Sequence, residues 1–412
     1  MVDAMKPCIQ RISALPALVA LLLAGCGDVG LVQVPLWDLG EDEEPTTVSE
    51  VVIGQPDASS GSVRTENPAA NTLNAPRGNM LWHDGQLYIP DTRNHRVVIF
   101  DGIPNSPDPE ANGVLGQPDL ESSAPDSPQA DNLFRPRTAF ASNDNVFVIA
   151  DTENHRVLIW DEPPQSQSDT PDTVLGQPDF QSAVDDCAGA DTMQDPTSVW
   201  LDGNRLIVAD SGNNRLLIWD GIPDTSGAAA DIVLGQEDDV SCFPNRGDTV
   251  EANTLNNPTD IWSDGTVLLV ADSGNHRVLI WDTLPNTTGS AADTVIGQAD
   301  MQSGLDNGPD GLASGTELNN PRYLAISDTR VFIADSNNAR IVILYELPDS
   351  DGASFDSVIG QPDFETRTAR LEAGGFSNPS GLLWTGNRLL VADQGYHRVQ
   401  IFEDFQDPPD NN

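Results

Sequence analysis

The stretch "VADSGNHRVLIWD" at Val270–Asp282 is one of six related copies along the chain. The aspartates of these copies stand at positions 91, 151, 210, 272, 335 and 393. Two further signatures recur with the same period. They are the glycine of "GQ" at positions 54, 116, 176, 235, 297 and 360, and a proline at 76, 136, 196, 258, 321 and 379. A period of about sixty residues over most of a chain is typical of a repeat architecture.

Each period contains four segments that predict β-strands. "LLVAD" and "RVLIW" are short, apolar and rich in β-branched residues, which is typical of strands covered on both faces. "DSGN" between them supplies residues that favour a tight turn. A strand after the repeated proline and another at "TVIGQ" complete the unit. Six antiparallel four-stranded units predict an all-β fold, a six-bladed β-propeller.

The order of these segments also predicts how the ring closes. The chain begins its repeats with a lone fourth strand at Val52–Gln55 and ends them, at Phe402, with the first three strands of a sixth unit. We therefore expect the N-terminal strand to join the last blade. This closure removes the open sheet edge that a linear stack would expose.

The triplets Asn94-His95-Arg96, Asn154-His155-Arg156 and Asn275-His276-Arg277, with their flanking strands, resemble NHL repeats, a family of six-bladed propellers. The resemblance covers residues 50–403. It departs from the family pattern at Asn214 and Ala339, which replace the histidine, and in the length of its repeats. Some members of that family are zinc lyases, so the resemblance also implies an enzymatic alternative.

Residues that recur in the repeats are interpreted as structural. The repeated Asp is expected to hold the turn and to pair with the repeated Arg. His95, His155, His276 and His397 occupy one equivalent place in four blades, which predicts that they are spread around the ring rather than gathered on one zinc ion. The tryptophans that end the first and third strands are interpreted as packing between blades rather than as a ligand box.

Three arginines break the symmetry of the repeat. Arg77, Arg137 and Arg322 follow the repeated proline in three blades, where the other blades carry Thr or Ser. At the channel end of the innermost strands, three guanidinium groups would form an anion-binding mouth. The alternative is that each arginine pairs with a nearby loop carboxylate.

An acidic loop offers a calcium site, and no other cofactor is predicted. "DSDGASFD" places Asp349, Asp351 and Asp356 around a turn-forming glycine, which is the start of a calcium-loop pattern. The loop lacks the terminal glutamate of a full calcium-binding loop. The alternative is therefore a solvated acidic loop.

The N-terminus predicts export and lipid attachment. Lys6 and Arg11 precede an apolar stretch at 12–25, too short to span a bilayer, and Leu23-Ala24-Gly25-Cys26 resembles the bacterial lipobox. We expect a lipoprotein signal peptide at 1–25, lipid on Cys26, an acidic tether at 26–49, the propeller at 50–403 and a disordered tail at 404–412. The alternative is a plain secretory signal. Lipid attachment would place the protein in the bacterial cell envelope, as a membrane-anchored lipoprotein that faces the periplasm or the exterior.

Cys187 and Cys242 remain once Cys8 leaves with the signal and Cys26 carries lipid. They lie in the loops that join neighbouring blades. In an oxidising compartment they are predicted to form a disulfide.

Composition narrows the function. The chain carries 64 acidic against 20 basic side chains, a net charge of -44, which excludes nucleic acid as a partner. Abundant acidic residues with a single lysine, Lys6, also fit a high-salt habitat.

No nucleophile or phosphate-loop motif stands out. The sequence favours a monomeric, membrane-anchored, non-enzymatic binding or scaffold module for a protein, peptide or glycan. The alternative is a metal-dependent lyase or lactone hydrolase with its site in the channel.

Overall fold

A computed structural model describes residues 47–64, 68–125, 127–142, 145–164, 166, 168–202, 205–327 and 330–403. Over these ranges the chain consists of β-strands joined by 3-10 turns and loops, and no helix there is long and apolar enough to cross a membrane. Cys26, the predicted signal peptide, most of the tether and the tail at 404–412 lie outside the described residues.

The strands form six antiparallel four-stranded sheets arranged in a ring, which confirms the predicted six-bladed propeller. The first blade consists of β2 Leu81–His83, β3 Gln86–Asp91, β4 Arg96–Asp101 and β5 Gly113–Leu115, and the second of β6 Ala139–Ala141, β7 Phe147–Asp151, β8 Arg156–Trp160 and β9 Thr173–Leu175. The third blade consists of β10 Pro196–Asp202, β11 Arg205–Asp210, β12 Arg215–Trp219 and β13 Ile232–Leu234, and the fourth of β14 Pro258–Ser263, β15 Leu268–Asp272, β16 Arg277–Trp281 and β17 Thr294–Ile296. The fifth blade consists of β18 Pro321–Ile326, β19 Val331–Asp335, β20 Arg340–Leu344 and β21 Ser357–Ile359.

The sixth blade contains the two ends of the propeller. It consists of β22 Pro379–Thr385, β23 Arg388–Asp393, β24 Arg398–Glu403 and the N-terminal strand β1 Thr47–Ile53, which pairs with β24. The predicted ring closure is confirmed, but β1 spans Thr47–Ile53 rather than Val52–Gln55. The strand extends towards the N-terminus because β24 offers it backbone partners as far as Glu403.

The hydrophobic core lies between blades. Six clusters of buried side chains are found in the described part of the chain, and each is shared by two neighbouring sheets. One of them joins Ile53 of the closing strand to Leu87 and Ile89 of the first blade. Each sheet is therefore covered on both faces, which is why its strands are apolar at successive positions.

The repeated aspartate and arginine form a buried ion pair, as expected from their recurrence. In five blades the arginine Nε lies 2.7–2.8 Å from the aspartate Oδ2, and both side chains are fully buried. The pairs are Asp91–Arg96, Asp151–Arg156, Asp210–Arg215, Asp272–Arg277 and Asp335–Arg340. In the sixth blade Tyr396 replaces the repeated asparagine, and the distance between Arg398 Nε and Asp393 Oδ2 is 3.9 Å.

The repeated histidines join each blade to the next. His276 Nδ1 accepts a hydrogen bond from the backbone N–H of Asn320, the residue before the proline that starts the next blade, at 3.0 Å. His95, His155 and His397 make equivalent bonds. Asn214, which replaces a histidine, keeps the same contact through its Oδ1, to the N–H of Asn257 at 2.8 Å. The four imidazoles thus lie at four separate blade junctions.

Candidate binding site in the central channel

The first strand of each blade lines the central channel, and neighbouring first strands contact each other around the ring. Each of these strands begins near the repeated proline, so all six prolines lie at one end of the channel. Residues one place after the proline face the mouth at this end. Residues four to six places after it lie about 10–17 Å further along the strand, near the opposite mouth.

Arg77, Arg137 and Arg322 meet at the proline end. Arg137 is electrostatically coupled to both of the others, and Arg322 to Arg77. Among the described residues none of the three forms an ion pair with a carboxylate within 4.0 Å, although the charge of Asp195 attracts Arg137 over a longer distance. The sequence had left pairing with a loop carboxylate open as the alternative. Arg322 Nη1 instead donates to two neutral amide oxygens, Asn378 Oδ1 at 3.2 Å and Gln394 Oε1 at 3.3 Å.

The proximity of three positive charges perturbs these groups. Burial lowers the pKa of Arg137 to about 9, and repulsion from Arg77 contributes in the same direction. Burial and Arg77 likewise lower the pKa of Arg322 to about 10. At neutral pH Arg137 and Arg322 therefore remain charged. The cluster is therefore a concentrated positive site in a strongly acidic protein.

Donor groups at this cluster lack acceptors. Arg77 Nε and Arg137 Nε are buried without a hydrogen-bond partner among the described residues, and so is the hydroxyl of Tyr323. Tyr323 is fully buried and is coupled electrostatically to Arg137 and Arg322. Unpaired buried donors are rare in folded proteins because they are costly. These unpaired donors indicate that a bound ligand supplies the hydrogen-bond acceptors. The positive charge of the arginines favours a ligand that is negatively charged.

A polar layer closes the channel below the arginines. Asp260 is fully buried and its carboxylate accepts hydrogen bonds from the amide of Asn79 at 2.8 and 3.0 Å, from Ser198 Oγ at 2.7 Å and from the N–H of Leu324 at 2.8 Å. Asn79 lies in the blade opposite Asp260, and its Oδ1 accepts from the N–H of Leu382. Five of the six blades are thereby linked across the axis.

Burial raises the pKa of Asp260 to about 7, while its hydrogen bonds act in the opposite direction. The sequence analysis missed this residue. Asp260 is the only acidic residue two places after the repeated proline, where the other blades carry Gly78, Thr138, Ser198, Tyr323 and Gly381. This departure from the repeat is the sequence feature that could have identified Asp260.

Close backbone contact narrows the channel at the same level. The N–H of Gly78 donates to the carbonyl of Ser380 in the neighbouring blade at 2.8 Å. A Cβ at Gly78 would lie 1.9 Å from the carbonyl oxygen of Arg137, and one at Gly381 would lie 2.1 Å from that of Gly78. Only glycine allows the first, second and sixth blades to approach this closely.

The tryptophans form two groups, and members of both pack between blades as expected, with Trp200, Trp262 and Trp384 lying against the clusters between neighbouring sheets. Trp160, Trp219 and Trp281 end third strands, are buried, and donate their indole N–H to backbone carbonyls at 2.9, 3.1 and 3.3 Å. The first-strand group differs in being partly exposed. Its members line a cavity at the end of the channel opposite the arginines: Trp82, Trp200, Trp262 and Trp384.

The candidate calcium ligands are not brought together. Asp351 Oδ1 accepts from the N–H of Val295 at 3.0 Å, and Asp356 Oδ2 from the N–H of Tyr345 at 2.8 Å, so both carboxylates hold loop backbone. Asp349 is exposed. Across the part of the chain that the structure describes, no group of three or more His, Cys, Asp or Glu side chains is arranged to hold a metal ion.

Cys187 and Cys242 form a disulfide, with Cα atoms 6.4 Å apart. It joins two successive loops that lead into first strands, those of the third and fourth blades, so it cross-links the face on which the arginines lie. The predicted pairing is confirmed.

Comparison with known proteins supports the propeller fold and nothing more specific. No family model and no curated protein matches the chain. A structure of a Bacteroides thetaiotaomicron protein of unknown function is 12% identical, with a TM-score of 0.52, and the match covers 98% of this chain and 89% of that one. A putative 6-phosphogluconolactonase from Bacteroides uniformis is also similar, at 12% identity and a TM-score of 0.46, covering 80% and 81% of the two chains. A streptogramin B lyase matches at 11% identity and a TM-score of 0.42, covering 82% and 96%.

Proposed function

We propose that this protein is an NHL-type propeller lipoprotein of the bacterial envelope that binds an anionic group of a protein, peptide or glycan at the arginine end of its channel. The observation that carries the proposal is the convergence of Arg77, Arg137 and Arg322, from three blades, without a carboxylate partner within 4.0 Å among the described residues. A ligand carboxylate, sulfate or phosphate would accept hydrogen bonds from these groups and from Tyr323, and would relieve their mutual repulsion.

The surrounding face favours a protein or peptide as the carrier of that group. The loops that lead into the first strands expose large apolar side chains: Val184, Val240, Phe243, Leu305 and Leu312 are 57–73% exposed. Exposed apolar residues around a polar centre are a common feature of protein interaction sites. The disulfide between Cys187 and Cys242 fixes two of these loops, which lowers the entropy lost on binding.

Replacing Arg137 with glutamine should weaken the binding of a compact anion by about 10- to 100-fold, because a hydrogen bond to a charged group contributes about 1.5–3 kcal/mol. Citrate and inorganic phosphate are the probes, measured by isothermal titration calorimetry, with the trimethyl ester of citrate as the uncharged comparison. The affinity should also fall as salt is raised.

Arg135→Gln is the matched control. Arg135 is close in sequence but exposed, and it pairs with Glu153 at 3.0 Å. This variant should keep the affinity of the parent protein. Since Arg137 is repelled by its neighbours, its removal should leave the melting temperature unchanged or higher. Equal anion affinity in the parent protein and in a variant lacking all three arginines would refute the proposal.

The membrane anchor is proposed from the sequence alone. Cys26→Ser should move the protein from the membrane fraction to the soluble fraction, because several acyl chains are needed for lasting attachment and serine cannot form the thioether. Fractionation of cells that express each form measures this, with Cys187→Ser as the comparison that keeps Cys26. Retention of the Cys26→Ser protein in the membrane would contradict lipid anchoring.

A further inference from the structure

A cavity of about 190 Å³ lies at the channel end opposite the arginines. All six first strands contribute to its wall, so it is centred on the propeller axis. Three aromatic rings form an arc on consecutive blades: the ring centroids of Phe140 and Trp200 are 4.6 Å apart, and those of Trp200 and Trp262 are 6.1 Å apart. Trp384 also lines the cavity and stacks on Phe332 behind it, at 5.3 Å.

These aromatic side chains are accessible. Trp82 is 37% exposed, and Trp200, Trp262 and Phe140 are partly exposed. Among the described residues, the indole N–H groups of Trp82, Trp200 and Trp262 donate no hydrogen bond within the protein, in contrast to those of the buried third-strand tryptophans. Part of this aromatic surface packs against the clusters between blades, and the rest faces the cavity.

The interior of the cavity is apolar and uncharged. Of the described residues that line it, only Asn79 and Thr138 have a polar side chain besides the indoles, and the amide of Asn79 is already bound to Asp260. The remaining wall includes Met80, Val199 and Leu382. A sugar placed here would bury several hydroxyl groups against aliphatic side chains without partners, which is unfavourable.

The rim of the cavity is acidic. Asp84 and Asp264 are exposed and Asp202 is partly exposed, and all three lie in or beside the turns that follow the aromatic positions. The arginines described at this end are already engaged: Arg205 pairs with Asp220, Arg388 with Glu403, and Arg330 is buried over the ring of Tyr345. His83 Nε2 lies 3.6 Å from Asp84 Oδ2. The exposed carboxylates of the rim, in a chain with a net charge of -44, favour the approach of a cation.

We propose that this cavity is a second binding site, for an organic cation with a compact apolar body of the trimethylammonium type. The faces of Trp200 and Trp262 attract a cation through their negative ring quadrupole, the aliphatic wall accepts methyl groups, and the carboxylates of the rim draw the cation in. The site is separated from the arginine cluster by the Asn79–Asp260 layer. Its ligand is opposite in charge to the ligand of the arginine site.

The test compares choline with 3,3-dimethylbutan-1-ol, which has the same shape without the charge. Choline should bind the purified propeller at least about tenfold more tightly than the alcohol, as followed by tryptophan fluorescence and calorimetry. Trp262→Leu should reduce choline affinity by about tenfold or more, whereas Trp262→Phe should retain most of it. Circular dichroism and thermal melting identify any variant that does not fold, in which case Trp200→Leu replaces it.

Each outcome decides the proposal. Arg137→Gln should leave choline binding unchanged, since that residue lies beyond the polar layer. Equal affinity for choline and the alcohol, absence of choline binding, or binding of a neutral sugar that is lost in Trp262→Leu would each overturn the assignment.

Discussion

Replacing Arg277 with methionine should lower the free energy of unfolding by about 3–5 kcal/mol, because it leaves the carboxylate of Asp272 buried without its cation. Arg277 Nε donates to Asp272 Oδ2 at 2.8 Å. Its terminal nitrogens donate to the backbone carbonyls of Met301, Glu251 and Thr254 at 2.7–2.9 Å. One side chain therefore holds the turn of its own blade and two loops. Urea denaturation of the isolated propeller measures the loss.

Arg388→Met is the matched control for this prediction. Arg388 is 37% exposed and pairs with Glu403 at 3.2 Å, so its loss should change stability by about 0.5 kcal/mol or less. Similar losses for the two variants would contradict the structural role assigned to the repeated ion pair. Because the same pair recurs, Arg156→Met and Arg215→Met should behave like Arg277→Met.

Ionisation of Asp260 should make the propeller less stable as the pH rises from about 4 to about 7. Burial raises the pKa of Asp260 to about 7 in the folded protein, while an unfolded aspartate titrates near 3.9. Between these values the folded state keeps a proton that the unfolded chain has lost, so the free energy of unfolding falls as the pH increases. Above pH 7 both states are ionised and the loss is complete. A difference of roughly 3 pKa units corresponds to about 4 kcal/mol.

The measurement compares the pH dependence of unfolding in the parent protein and in Asp260→Asn. The many other acidic groups are common to both proteins, so the difference between the two profiles isolates Asp260. The variant should lack this part of the slope. Below about pH 4, where Asp260 is protonated in both states, the variant should be less stable than the parent, because an amide nitrogen would face the donors Asn79, Ser198 and Leu324. Asp264→Asn, an exposed change at the end of the same strand, should keep the parent profile; parallel profiles for Asp260→Asn would contradict the raised pKa.

The Asn79–Asp260 layer also decides how the channel works. It spans the axis between blades that are opposite in the ring, so the channel is not an open pore but two separate mouths. The proline end carries three arginines, and the other end carries aromatic rings and an acidic rim. Each mouth is therefore suited to a different ligand charge, and the two can be tested independently with Arg137→Gln and Trp262→Leu.

The repeat explains which expectations were confirmed. Strand content, blade number, the closing strand and the buried Asp–Arg pairs all depend on residues that recur in register, and a period of about sixty residues makes them visible in the sequence. The convergence of Arg77, Arg137 and Arg322 was predictable for the same reason, because equivalent positions of a propeller lie at the same end of the channel. The disulfide followed from two cysteines in successive loops.

Other features depend on contacts between residues far apart in the chain. Asn79 and Asp260 are 181 residues apart and occupy different positions within their repeats, so neither residue identifies its partner in the sequence. The first-strand tryptophans pack between blades, as expected, but they also line a cavity that the sequence did not indicate. Strand order alone does not reveal which of two similar strand ends faces solvent at the axis.

The sequence by itself determined the architecture of this protein, because local patterns repeated six times can be satisfied together only when each sheet covers the next and the ring closes. Only the tertiary structure decided what the centre of that ring contains. Six first strands bring their non-equivalent residues together at the axis, and the chemistry there depends on the exceptions to the repeat: Asp260 opposite Asn79, arginines with no carboxylate within 4.0 Å among the described residues, and indoles around a cavity. These groups acquire their environment from the other blades, so their burial and charge exist only once the ring has formed.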